Sequence, residues 1–184
     1  MRLIRYALVL SFAACVAPAA TLERLSLEEM TARSTAIVRA RAVSNSPVQI
    51  GSTIYTKTRF EVLERWKGSE GDVVAVMEPG GTMGQMAQTF PGVLRFTPGQ
   101  EMVLFLWTGR SGRTQVIGLT QGAFDVARNA ATGEMEATRN PSGELMLEPG
   151  SGKPVEDHPL SISLRRLERH VRSTLERLAR NRQE

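Results

Sequence analysis

The sequence predicts a mainly β protein, a barrel-like sheet with a short N-terminal helix and a C-terminal amphipathic helix packed outside it. Three observations carry this. Residues 54–66 alternate, with Ile54, Thr56, Thr58, Phe60, Val62 and Trp66 on one side and Tyr55, Lys57, Arg59, Glu61 and Arg65 on the other, the pattern of a long strand with one wet face. Residues 96–126 are the densest apolar stretch after the N-terminus and are punctuated as a hairpin. Near the end, Leu160, Leu164, Leu167, Val171, Leu175 and Leu178 recur at three- and four-residue spacing among arginines, which makes an amphipathic helix. A chain of 184 residues with 41% hydrophobic and 23% charged residues is one domain with a real core, which excludes the disordered and collagen-like classes.

The first twenty residues differ from the rest. Arg2 and Arg5 give a positive start, residues 6–16 an apolar run, and Ala17-Pro18-Ala19 a small-residue cleavage pattern, the layout of a secretory signal peptide. Its apolar run is too short to span a bilayer as a helix. Phe12-Ala13-Ala14-Cys15 also resembles the lipobox of bacterial lipoproteins, whose cysteine becomes the lipidated first residue. Simple export is the leading reading, because phenylalanine three before the cysteine is unusual there. Cys15 is the one cysteine in the sequence, so cleavage after Ala19 leaves a mature chain without a thiol for a disulfide.

Ser26-Leu27-Glu28-Glu29 reads as a capping box opening a helix over residues 27–33. Residues 35–44 alternate as a strand, with Ala36, Val38, Ala40 and Ala42 on the inner face, and Asn45-Ser46-Pro47 ends it. The long strand over 54–66 follows, then a turn at residues 67–71 and a short apolar strand over 72–77. Residues 78–92, EPGGTMGQMAQTFPG, show little periodicity, and a loop this long in a compact domain is functional or mobile; residues 86–90 within it suit a short edge strand. Pro98-Gly99 suits a type II turn. The strand over 100–107 is apolar on both faces, Met102, Leu104 and Leu106 on one and Val103, Phe105 and Trp107 on the other. It must be covered twice, and the C-terminal helix is the natural outer cover. Gly118 and Gly122 mark bends, residues 123–126 finish the barrel-like part, and residues 134–148 read as a peripheral hairpin before the linker EPGSGKP. The expected organisation is a signal peptide over 1–19, a barrel over 20–126, the hairpin and linker over 127–159 and the helix over 160–184.

This order, with Trp66-Lys67-Gly68, the Pro79-Gly80-Gly81 loop, Phe96-x-Pro98-Gly99-Gln100-Glu101 and Gly118-Leu119-x-Gln121-Gly122-x-Phe124, resembles a family of exported bacterial proteins. More distantly, residues 26–126 are similar to the OB-fold, netrin-like domain of the tissue inhibitors of metalloproteinases. The resemblance implies a five-stranded OB-type barrel. Those inhibitors act through a cysteine-anchored amino terminus that chelates the protease zinc; no Cys-x-Cys stands at this chain's mature start, so no inhibitory residue carries over.

The net charge of +4 and the pI near 9.8 are unevenly placed. Residues 21–159 hold fourteen Lys or Arg against sixteen Asp or Glu, whereas residues 160–184 hold seven arginines against three glutamates. With a slightly acidic body and 5% aromatics, the positive groove and stacking residues of a single-strand nucleic-acid site are missing. The arginine-rich helix reads as the solvated outer face of a packed helix, with anionic lipid or surface polymer as its alternative partner.

No catalytic set is legible. His158 and His170 fall in surface contexts, Ser111 in Gly109-Arg110-Ser111-Gly112 reads as a turn, and no cluster has metal-ligand spacing. Met83 and Met86 are thioethers that could take copper(I), but two without histidine or cysteine are a thin ligand set. The expectation is therefore an exported, non-enzymatic binding module without cofactor. Its contacts with another exported protein would lie on the 78–92 loop, through Met83, Gln85, Met86, Gln88 and Phe90. A periplasmic metal-handling protein or hydrolase, and an envelope-associated structural lipoprotein anchored at Cys15, are the alternatives.

Overall fold

A computed structural model describes residues 21–69 and 71–183. The expected signal peptide and Cys15 lie outside the described residues. The chain runs β1 (Thr21–Glu23), α1 (Leu27–Arg33), β2 (Ala36–Ile50), β3 (Thr53–Lys67), β4 (Val73–Pro79), β5 (Gly81–Met83), β6 (Met86–Gln88), β7 (Glu101–Thr108), β8 (Thr114–Val116), β9 (Ala123–Arg128), β10 (Met135–Arg139), β11 (Leu145–Leu147), β12 (Pro154–Val155), β13 (Leu160–Ser163) and α2 (Leu164–Arg180).

The main sheet has the order β13-β10-β9-β7-β2-β3-β4, with β8 also paired to β7, and its ladders are antiparallel. It is mainly β as expected, but larger than five strands. The sheet curls until β4 lies against β8, yet no ladder joins these two strands.

Both faces of the sheet are buried at its centre, and β7 is the shared wall. Its inner row, Met102, Leu104 and Leu106, packs with Val38, Ala40, Phe60 and Val76. Its outer row, Val103 and Phe105, packs with Phe124, Met30 of α1, and Leu164, Leu167 and Val171 of α2. The two-sided pattern and the helical cover are thus as the sequence indicates. Trp107 is the exception: it remains 48% exposed, because its ring folds back over Gly109 rather than joining the outer cluster. The capping box on α1 forms in both directions, Ser26 Oγ accepting from Glu29 N at 3.1 Å and Ser26 N donating to Glu29 Oε2 at 2.9 Å. At the other end of α1, Lys67 Nζ donates to the carbonyls of Thr31 and Ala32, so β3 caps the helix.

Four expectations are corrected. First, β2 does not stop at residues 45–47 but continues to Ile50. Pro47 is tolerated because β7 pairs only with Ala36–Arg41, leaving that length of β2 an open edge. Second, simple alternation fails in β3. The β2–β3 register skips Val43, Leu63 and Trp66, and each bulged residue changes the face that follows it. Trp66 therefore joins Ile37 in the outer cluster instead of Phe60 in the inner one. Third, residues 134–148 are not a peripheral hairpin. β10 lies between β9 and β13 in the main sheet, and β11 pairs with β1 and β12 in a separate sheet. Asp157 holds the crossing, accepting two hydrogen bonds from Arg139, at 2.7 and 2.8 Å, and one from Ser142 N. Fourth, α2 begins at Leu164, not Leu160. Leu160 and Ile162 alternate within β13 and pack against the outer cluster.

Candidate functional site

The 78–92 segment is more ordered than its composition indicates. β4 runs through Glu78 to Pro79, the chain turns at Gly80, and β5 and β6 form a small hairpin with the two-residue tip Gly84-Gln85. Gly84 takes φ 59°, as the first residue of such tight turns can when it has no Cβ. Gly80 takes φ 91°, and a Cβ there would overlap the Arg95 guanidinium and lie 2.9 Å from the Gln88 carbonyl.

The five residues singled out in this segment separate into two groups. Gln88 is an anchor: its Oε1 accepts from Ile54 N at 2.7 Å, and its Nε2 donates to the Ser52 carbonyl at 2.8 Å. One side chain thereby ties β6 to the tip of the β2–β3 hairpin. Met83 and Met86 are cross-strand partners, Met83 half-buried and Met86 55% exposed. Gln85 stands exposed at the tip, and Phe90 is 39% exposed just beyond β6. Ile50, at the β2–β3 tip that Gln88 grips, is also exposed. The structure therefore leaves Met86, Phe90 and Ile50 as exposed apolar groups, while the Gln88 side chain is committed to the β2–β3 tip. Among the described residues no three His, Cys, Asp or Glu side chains gather as metal ligands.

The feature missed by reading along the sequence is Glu78. It stands on the inner face in line with Val74 and Val76, the register partner of Thr56, and is 4% exposed. Its Oε1 accepts a hydrogen bond from Val116 N of β8 at 3.0 Å. Burial pushes its carboxyl up to about 7, against the opposing pull of the Val116 amide and the charge of Arg95. Arg95 is held nearby by donating from Nη1 to the Pro79 carbonyl at 3.1 Å. Period-two counting through 74, 76 and 78 would have placed Glu78 inside.

A concavity of about 430 Å³ lies between α1 and the β13 end, lined in part by Arg24, Glu29, Gln121, Arg139 and Asp157. Of these, Glu29, Gln121, Arg139 and Asp157 are engaged internally. Gln121 accepts from Leu25 N and donates to the Glu23 carbonyl, pinning the strand before α1. Arg139 and Asp157 hold each other; burial works to raise the Asp157 carboxyl, but the Arg139 and Ser142 hydrogen bonds outweigh it and lower it from 3.8. This cleft is a structural joint.

Comparison with family models, with curated proteins and with solved structures finds no match to this chain.

Proposed function

We propose that the chain is an exported, non-enzymatic binding module on an OB-type barrel, and that it contacts another exported protein through the β5–β6 hairpin and the residues after it. One observation carries the reading. Met86, on a short hairpin whose base is fixed by Gln88, and Phe90, two residues beyond it, are large apolar side chains held in water. Exposed apolar groups on an anchored loop are what recognition uses, since the ordering cost is met before the partner arrives. Methionine adds an adaptable, polarisable contact.

The barrel part of the proposal is supported by the curl of β2, β3, β4, β7 and β8 around the inner cluster, with β4 against β8. The export part is supported by the positive, apolar and small-residue layout of residues 1–19. Mass spectrometry of the mature amino terminus tests it: a first residue of Ala20 fits simple export, and a lipidated Cys15 replaces it with the anchored form.

The binding part is tested with a Met86→Ser, Phe90→Ser double variant. Both sites are exposed, so the melting temperature should stay within a few degrees of the parent. A pull-down from the exporting cell should then lose the parent's captured protein. Recovery of the same protein by the folded double variant would remove this surface from consideration.

A further inference from the structure

The main sheet nearly closes on itself, and the place where it fails to close is chemically unusual. β4 and β8 lie side by side without a ladder, and among the described residues the hydrogen bond linking them is from Val116 N to the Glu78 carboxyl. Val116 is buried in the inner cluster with Phe60, Val76 and Leu106. A carboxyl is thus doing at this seam what backbone carbonyls do elsewhere in the sheet. Unlike a carbonyl, it can change charge.

The surroundings leave that charge little support. On β3, the facing groups are the hydroxyls of Thr56 and Thr58, both neutral and committed, to the Gly80 carbonyl and to Asn45 Oδ1 respectively. Tyr55, Lys57 and Arg59 alternate onto the opposite face of that strand. β8 offers Glu78 the Val116 amide and carries no charged side chain, and on the β5–β6 hairpin the neutral amide of Gln88 is committed to Ile54 N and the Ser52 carbonyl. Arg113, before β8, sits over the Tyr55 ring at 5.4 Å. Arg95 is the charged side chain that acts on Glu78, and it sits at the mouth on the Pro79 carbonyl. Residues 53–116 contain no histidine, so no other group there titrates near neutrality at its ordinary value.

We propose that Glu78 is a protonation-controlled latch on the barrel seam. When neutral it stays inside and joins β4 to β8; when ionised it is drawn toward Arg95 and water, and the seam loosens over the inner cluster. The step is the loss of one proton from the Glu78 carboxyl to solvent, with no other bond made or broken except the hydrogen bond to Val116 N.

Amide hydrogen exchange on the full chain reads this directly. Opening is coupled to release of one proton while the closed carboxyl is neutral and the open one ionised. After correction for intrinsic base catalysis, the protection of the Val116 amide should therefore fall about tenfold per pH unit between pH 5 and 7, then level off. Throughout, it should stay below the protection of the Ala137 amide in β10, which is paired on both sides. In Glu78→Gln, whose amide oxygen can still accept from Val116 N, the slope should vanish. In Arg95→Met, the pH at which protection levels off should move upward, which keeps the test alive if Glu78→Gln does not fold. The latch is overturned by a flat Val116 profile in the parent, by a slope that survives in Glu78→Gln, or by an Arg95→Met level-off that does not move. Equal protection of Val116 and Ala137 at every pH also overturns it, since the seam would then open only when the whole molecule unfolds.

Discussion

Ser26 and Phe124 show how differently single side chains support this molecule. Ser26 acts on one helix end, where its hydroxyl and the Glu29 carboxylate satisfy amides that α1 leaves without partners. Ser26→Ala should cost about 1 kcal/mol in urea-induced unfolding. Phe124 is fully buried, 5.8 Å from the Phe105 ring centroid in the outer cluster. Phe124→Ala should cost roughly 3–5 kcal/mol by the same measurement, because the cavity left between sheet and helix cannot collapse fully. Ser26 could be read directly from the Ser-x-x-Glu spacing. Glu78 is less direct: as the first residue of a Pro/Gly-rich stretch it looks like a loop residue, and it is read as inward only when the alternation of Val74 and Val76 is carried two residues further. The bulged residues Val43, Leu63 and Trp66 are illegible for a related reason. A bulge is fixed by which residues of two distant strands oppose each other, and no local pattern records that.

At the scale of elements, the sequence was most legible where the period is long and unbroken. β7 was recognisable as two-sided, and α2 as its cover, because both carry a strong periodic signal. β10 and β11 read along the sequence as each other's partners, but pairing is a non-local choice. The Arg139–Asp157 clamp that separates them joins residues eighteen apart in the chain. β13 reads as the first turn of α2 because Leu160 lies four residues before Leu164, a spacing that a strand-to-helix junction can produce by coincidence. In the 78–92 segment the anchoring role of Gln88 was not legible, since a glutamine in a polar loop has no signature for the direction it faces. Two outcomes follow. Gln88→Ala should release the β5–β6 hairpin, lowering protection of the Ile54 amide, at a cost of about 1–3 kcal/mol for the hydrogen bonds lost. Removing residues 164–184 should uncover Val103, Phe105 and Phe124, and abolish the cooperative thermal transition seen by circular dichroism; a truncated chain melting as sharply and as high as the parent would show that α2 does not support the sheet.

For the whole molecule, two carboxyls, Glu78 buried and Asp157 half-buried, shape stability in opposite pH windows. Glu78 is raised by burial from 4.5 to about 7, so between these values the folded state binds a proton the unfolded state has released. Stability is then highest on the acid side and declines as pH rises toward 7, by roughly 3 kcal/mol from this group. Asp157 is lowered from 3.8 by its partners against the effect of burial. Its contribution is present above pH 3.8 and lost as pH falls through its folded value. The midpoint of urea unfolding should therefore be greatest near pH 4–5, and Glu78→Gln should flatten its alkaline side while leaving the acid side unchanged. A parent midpoint that rises steadily from pH 5 to 7 would contradict the assignment.

The shared wall formed by β7 has a consequence for the order in which a chain emerging amino end first can become native. The inner cluster draws on residues 38–123 and can close once β9 has been made. The outer cluster needs Met30 from α1 and Val171 from α2, and Glu28 and Arg177 meet across these helices at 2.7 Å. Val103, Phe105 and Phe124 thus wait uncovered while some forty further residues are delivered. A nascent chain halted near residue 150 would be half-finished, closed within and adhesive without, and this interval is when it most needs a chaperone.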